Sequence, residues 1–222
     1  MKFNLMFVYM RYLLVLGIVL MNFVSHGQST EIYFTSTSKK QQILNDLNNI
    51  KFVEFVCKDS AAWGKYFHID LVRFVKGVPD TISREQSTCE DIKLPVVLPS
   101  GDTAYYIHNP CKHSQYTGDV DSMTIVIAGK QEDTTLHLLI DKNHTKKKLD
   151  IDGQANYVLQ KATNDNTRTI PFNTSTPIAL YFGGYKMGIG TFYCLAKTVK
   201  AEEMYEAFHV DDYYVFYLTI KD

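Results

Sequence analysis

The densest gathering of reactive side chains is His108-Asn109-Pro110-Cys111-Lys112-His113, two imidazoles and a thiol within one short stretch. Zinc and copper accept nitrogen and sulfur donors of this kind when they converge, with a further ligand arriving from elsewhere in the fold. The competing chemistry is oxidation, because a cysteine tied into a disulfide has no thiolate to offer a metal. The chain has 4 cysteines, Cys57, Cys89, Cys111 and Cys194. In an exported chain an even count favours disulfides, with three possible connectivities. Cys89 and Cys111 bracket a single short stretch and are the expected pair. Closing a loop of about twenty residues is worth roughly 3 kcal/mol in the chain-entropy model. Cys57 and Cys194 lie in apolar, strand-like runs, where a second bridge or two buried thiols would both fit. A disulfide at Cys111 leaves no metal at His108 and His113, and no cofactor is expected.

The remaining candidates for catalysis are thin. Acidic pairs occur at Glu202-Glu203 and Asp211-Asp212. Glycoside hydrolysis needs two carboxylates about 5–10 Å apart across a sugar, but adjacent residues point apart, so these read as solvated charge. No Gly-x-Ser-x-Gly elbow and no His-Glu-x-x-His occurs. The glycine-rich run Gly183-Gly184-Tyr185-Lys186-Met187-Gly188-Ile189-Gly190 would have to open into a helix to cradle phosphate. A strand-like Thr191-Phe192-Tyr193-Cys194-Leu195 follows instead, so a flexible hairpin loop is expected. Lys146-Lys147-Lys148, with Lys142 and His144, could touch an anionic surface, yet Asp141, Asp150 and Asp152 lie beside them and a solvated turn is expected. Asn143-His144-Thr145 and Asn173-Thr174-Ser175 fit the glycosylation acceptor pattern.

Aromatic rings offer a binding chemistry, since a flat ring can stack on a sugar or anchor a protein contact. Most rings are expected to fill the core. Trp63 is flanked by small residues that cannot bury it locally, Tyr185 sits among glycines, and of the adjacent Tyr105 and Tyr106 alternation sends only one inward. Trp63, Tyr105 or Tyr106, and Tyr185 are therefore the expected ligand-binding residues.

The first 27 residues bear on where such a surface would work. Lys2 and Arg11 precede an apolar run from Tyr12 to Val24, and Ser25-His26-Gly27 supplies small residues before Gln28. A basic start, short apolar middle and small-x-small exit make a cleavable signal peptide. The run is short of the roughly 20 residues needed to span a bilayer, and no cysteine follows the cut to take a lipid. The expected protein is secreted or periplasmic, with no membrane attachment after cleavage. The whole chain carries a formal net charge of -1, without the basic patch that tracks phosphates, so nucleic acid is not an expected partner. An apolar content of 45% and an aromatic content of 13% are enough for a sizeable core.

Positioning elements read mostly as strands. Glu31–Thr35 is a short strand, and Ser38 with Gln41 makes a capping box before Ile43, Leu44, Leu47 and Ile50 at helical spacing. One amphipathic helix over 39–49 follows. Strands are then expected at 50–57, 66–75, 103–108, 123–128, 135–140, 155–160, 177–182, 191–199 and 213–220, with an edge strand or loop at 94–98 interrupted by Pro95. Turn chemistry falls at Gly77-Val78-Pro79-Asp80, Ser100-Gly101-Asp102, Gly129-Lys130, Asp141-Lys142-Asn143, Asp152-Gly153 and Asn164-Asp165-Asn166. A second short helix is expected over 201–208. Many short strands with turns between them give an all-β fold, an OB barrel or β sandwich with two short helices. The polar stretch 109–121 is the expected boundary between an N-terminal β domain, 28–115, and a C-terminal β-rich domain, 120–222.

Within residues 50–111, the strand pair Phe52–Cys57 and Tyr66–Val75, the turn Phe74-Val75-Lys76-Gly77, Cys89, the hairpin Gly101-Asp102-Thr103-Ala104-Tyr105-Tyr106-Ile107 and Cys111 resemble the netrin-like module. That family of OB barrels includes the tissue inhibitors of metalloproteinases. The resemblance implies a five-stranded barrel whose loops are pinned by cysteines. The inhibitors chelate their target's zinc through an N-terminal cysteine. Here the expected mature terminus is Gln28, so that activity does not carry across.

The function expected from the residues is a secreted, non-catalytic β-rich binding or interaction protein. Its partner would be an extracellular protein or glycan. The alternatives are an exported hydrolase with a dispersed acid/base pair and an inhibitor of an extracellular enzyme.

Overall fold

The computed structural model describes residues 28–36, 38–83, 92–108, 123–140, 145–151, 156–188, 190–193 and 199–221. Strands dominate, as alternation and turn spacing predict. β1 (Ser29–Phe34) is followed by helix α1 (Lys39–Leu47), β2 (Ile50–Cys57), β3 (Tyr66–Val75), β4 (Val78–Ser83), β5 (Ile92–Val97) and β6 (Thr103–His108). Then come β7 (Met123–Glu132), β8 (Thr135–Ile140), β9 (Thr145–Asp150), β10 (Val158–Lys161), β11 (Thr167–Pro171) and β12 (Thr176–Phe182). β13 (Tyr185–Met187), β14 (Gly190–Phe192), helix α2 (Met204–Phe208) and β15 (Asp212–Lys221) complete the order.

A six-stranded sheet runs β11-β1-β2-β7-β8-β9, and a five-stranded sheet runs β10-β12-β15-β3-β4. The pairings are antiparallel, and the pleat sends successive side chains to opposite faces, so β2, β7 and β8 bury alternate residues while β12 and β15 are buried on both faces. Ile32, Phe55, Ile125, Ile127 and Leu136 from the first sheet meet Phe67, Leu71, Tyr181, Phe216 and Leu218 from the second in one buried cluster. Full burial of each such side chain contributes roughly 1.5–3 kcal/mol, and this interior is the main source of stability. The stretches expected as two domains, 28–115 and 120–222, contribute strands to both sheets and share this core. A boundary at 109–121 therefore separates no two cores. Residues 50–111 distribute over three sheets: β2 in the first, β3 and β4 in the second, and β5-β6 as a hairpin of its own.

The outer face of the five-stranded sheet is sealed. Val72, Phe74, Leu180, Phe182, Tyr213 and Val215 form a second buried cluster with Ala201 and Met204. Those last two residues belong to a 3-10 turn (Ala201–Glu203) and to α2, the expected second helix. Two tyrosines latch this cover down. Tyr213 Oη donates to the Glu202 carbonyl at 2.7 Å, and Tyr217 Oη donates to Glu202 Oε1 at 2.9 Å. His209 ends α2 in the left-handed conformation, its N–H donating to the Tyr205 carbonyl at 2.8 Å.

Helix α1 forms where the capping signal places it, with Ser38 Oγ accepting from the Gln41 N–H at 3.3 Å. Its packing differs from expectation. Ile43, Leu44 and Leu47 are 52%, 44% and 78% exposed, and α1 has no buried residue. Local pattern is enough to form the helix, but none of its own apolar residues reaches the interior.

Several turn expectations give way to strands. Gly77-Val78-Pro79-Asp80 is not a turn; the chain reverses one step earlier, at Lys76 (φ 50) and Gly77 (φ 77), and β4 begins at Val78. Pro79 is tolerated because β4 is an edge strand, and the register shifts there against Arg73 and Phe74. Gly129-Lys130 continues β7, which turns at Asp133 (φ 50). A Cβ at Gly129 would lie 3.2 Å from the Tyr181 ring, so this glycine serves close packing between the sheets. Lys146-Lys147-Lys148 is not a turn either but the middle of β9, and Thr167–Pro171 pairs with β1 as β11. Both are sheet edges, where lysine, arginine and proline discourage pairing with another chain.

Candidate functional site

The aromatic residues expected to bind a ligand occupy three different elements. Trp63 follows a 3-10 turn (Ser60–Ala62) capped by Asp59 and is half-buried. Tyr105 projects from β6 and is 66% exposed. Tyr106 lies opposite Leu94 in the same hairpin, with its side chain outside the described residues. Tyr185 is a correction. It is only 6% exposed, stacked on Phe208 at 4.0 Å between ring centroids and on Phe192 at 6.0 Å. The glycine-rich segment is a strand hairpin, β13-β14, and it carries Tyr185 inward against α2. Gly184 makes that path possible: at φ +79, a Cβ there would lie 2.6 Å from the Tyr193 ring.

The chemical candidates are mostly structural. Cys57 is fully buried and carries a free thiol, one of the two states its apolar sequence context left open. Its Sγ lies 3.5 Å from Thr30 Oγ1, and desolvation pushes the thiol pKa up. Cys89, Cys111, Cys194 and His113 lie outside the described residues, as do residues 1–27, where a signal peptide is expected. His108 is the last residue of β6, its side chain likewise outside them. Among the described residues no group of three His, Cys, Asp or Glu side chains could hold a metal ion. The acidic pairs do not converge either. Glu202 accepts the tyrosine bonds, Glu203 pairs with Lys200 at 3.2 Å, and Asp212 holds Arg73 through two bonds of 2.9 and 3.0 Å.

What the fold does bring together is a set of residues on the outer face of the six-stranded sheet. Register aligns two cross-strand rows there. Phe52, Ala128, Leu139 and Lys146 form one, and Ile50, Lys130, His137 and Lys148 form the other. Side chains directly opposite on one face are neighbours, so an aliphatic floor meets a cationic rim. Between these rows lies a concavity of about 410 Å³, lined by Ile50, Ala128, Leu139, Lys130, Lys146 and Lys148 among others. The volume falls at the small end of the ~300–1,000 Å³ range of small-molecule sites.

Electrostatics divide the rim in two. Glu132 takes Lys130 Nζ at 2.5 Å and His137 Nε2 at 3.3 Å, and the neighbouring ammonium holds its carboxyl below the ordinary range. Lys146 and Lys148 make no ion pair within 4.0 Å among the described residues, although Lys148 adds to the field that lowers the Glu132 pKa and Asp150 lies two residues along the same face of β9. Lys147 faces the other way, beside Leu138, where burial pulls its pKa down and Asp70 opposes that shift. The lysine run that looked like a solvated turn is thus a strand presenting two cations to the concavity and one to the sandwich edge. Residues 145–150 contain one apolar side chain, Leu149, so no alternation marked this strand in the sequence. No helix among the described residues is long and apolar enough to cross a membrane. Comparison with protein-family models, with curated proteins and with solved structures gives no match.

Proposed function

We propose that this chain is an exported binding protein without catalysis, and that the outer face of its six-stranded sheet is the working surface. One asymmetry carries the reading. The outer face of the five-stranded sheet is closed by α2, the 3-10 turn and the β13-β14 hairpin. The corresponding face of the other sheet presents a concavity with aliphatic floor and lysine rim. A scaffold that covers much of one face and leaves a shaped hollow on the other resembles a receptor surface more than a spare side of a sandwich. The signal sequence supports export, placing the hollow in a secreted or periplasmic milieu.

The protein recovered from that milieu should begin at Gln28 and retain a bound ligand in native mass spectrometry. Ala128→Arg, which fills the floor, should abolish retention without lowering the melting temperature appreciably, whereas Tyr105→Ala should leave it intact. Retention that follows Tyr105→Ala and ignores Ala128→Arg would move the function to the β5-β6 hairpin and overturn this reading.

A further inference from the structure

We infer that the concavity takes a single-chain amphiphile with an anionic head, such as an alkyl carboxylate or alkyl sulfate; this rests on reading the outer sheet face as the binding surface. The lining itself selects that chemistry. Ile50, Ala128 and Leu139 make the floor aliphatic; no Phe, Tyr or Trp is among the lining residues, and the one ring there, the His137 imidazole, is engaged by Glu132 at 3.3 Å. A sugar or a nucleobase would want a ring to stack on, while an alkyl chain needs only apolar area removed from water. The rim sets the charge of the head. Lys130 is already matched by Glu132, which also holds His137. Lys146 and Lys148 stand two residues apart on the same face of β9, about 7 Å along the strand. They can meet one anionic group between them, or one each.

The size of the hollow, about 410 Å³, suits one chain and not a protein helix or a bilayer leaflet. Edge protection is the rival role for these lysines, since cations on an edge strand deter association. That role needs the charges but not the hollow, so the two can be separated.

The test is isothermal titration calorimetry on the full exported chain with sodium alkanoates of increasing length, from hexanoate to tetradecanoate, each below its micelle concentration. Each added methylene should tighten binding about fourfold, the worth of one buried CH₂, until the hollow is full, and then stop doing so. Decyltrimethylammonium should bind at least about tenfold more weakly than decanoate, and decyl sulfate should bind comparably to it. Lys146→Gln and Lys148→Gln should each weaken decanoate about two- to fivefold, the range of exposed ion pairs, with less dependence on salt. Ala128→Phe should remove binding while the melting temperature holds.

Vesicles of phosphatidylcholine with phosphatidylglycerol separate a free chain from a membrane surface. Binding to them without binding to monomeric decanoate would overturn the proposal. So would affinity without a length plateau, or equal affinity for both head charges. If the alkanoates fail while native mass spectrometry still shows a ligand sensitive to Ala128→Arg, the ligand class is wrong and the binding face stands. If both fail, the binding face is wrong as well.

Discussion

At the scale of single residues, the aromatic rings separate by neighbours rather than by type. Tyr185 and Tyr105 look alike in sequence, each a tyrosine in a short hairpin. Yet Tyr185 is sandwiched by Phe208 and Phe192, while Tyr105 is 66% exposed. Tyr185→Ala should destabilise by about 3–5 kcal/mol, the range for deleting a buried aromatic ring. Tyr105→Ala should fall within about 0.5 kcal/mol of wild type, as surface substitutions usually do. Urea denaturation of both variants checks this, and equal losses would mean that the β13-β14 hairpin does not pack on α2. Cys57 illustrates the same point in sulfur chemistry. Its sequence context allowed a bridge or a buried thiol, and the structure leaves its Sγ unbridged, 3.5 Å from Thr30 Oγ1.

At the scale of elements, the β5-β6 hairpin is the most telling. It pairs with neither large sheet, and Leu94, Val96, Val97 and Tyr105 are exposed. A lone two-stranded hairpin is marginal in water, so a clamp at its base would matter. Ile92 faces His108 and Val97 faces Thr103. Cys89 and Cys111 flank that hairpin in sequence, and closing a loop of about twenty residues is worth roughly 3 kcal/mol in the chain-entropy model. We therefore propose Cys89–Cys111 as the bridge. Peptide mapping of the protein under non-reducing conditions should recover that pair, with Cys57 alkylated only after unfolding. Recovery of Cys89 and Cys111 as separate alkylated peptides would rule the bridge out. Helix α1 makes the complementary case: its cap and spacing form it, but its apolar stripe stays in solvent.

For the whole molecule, burial of tyrosines on β12 and β15 links stability to alkaline pH. Desolvation raises the pKa of Tyr213 and Tyr214 to about 12, and it raises Tyr181 and Tyr217 further in the same direction. In the unfolded chain these groups ionise near the ordinary value of 10.0. Between that pH and about 12 the folded state therefore holds more protons than the unfolded state, so stability falls as pH rises through this window. Thermal melts followed by circular dichroism should stay level below about pH 9 and drop steadily above about pH 10. The loss should involve the entire chain in one transition, because both sheets share the core. A melt insensitive to pH up to about 12 would show that these hydroxyls reach solvent.

The sequence by itself determined what depends on near neighbours along the chain. Alternation marked β2, β3 and β8, which bury every second residue over most of their length, continuous apolar runs marked β12 and β15, which are buried on both faces, and Ser38 marked the start of α1 because capping is local. Only the tertiary structure decided what depends on partners far away in sequence. Gly129 and Pro79 read as turns until the close approach of Tyr181 and an edge position explain them inside strands. The lysines of β9 became a rim only when register set them against Leu139 and His137. Two expected domains became one core because β1 pairs with β11 across more than half the chain and β2 pairs with β7 across about a third of it. Strand pairing is a non-local choice, and no window of sequence contains both partners.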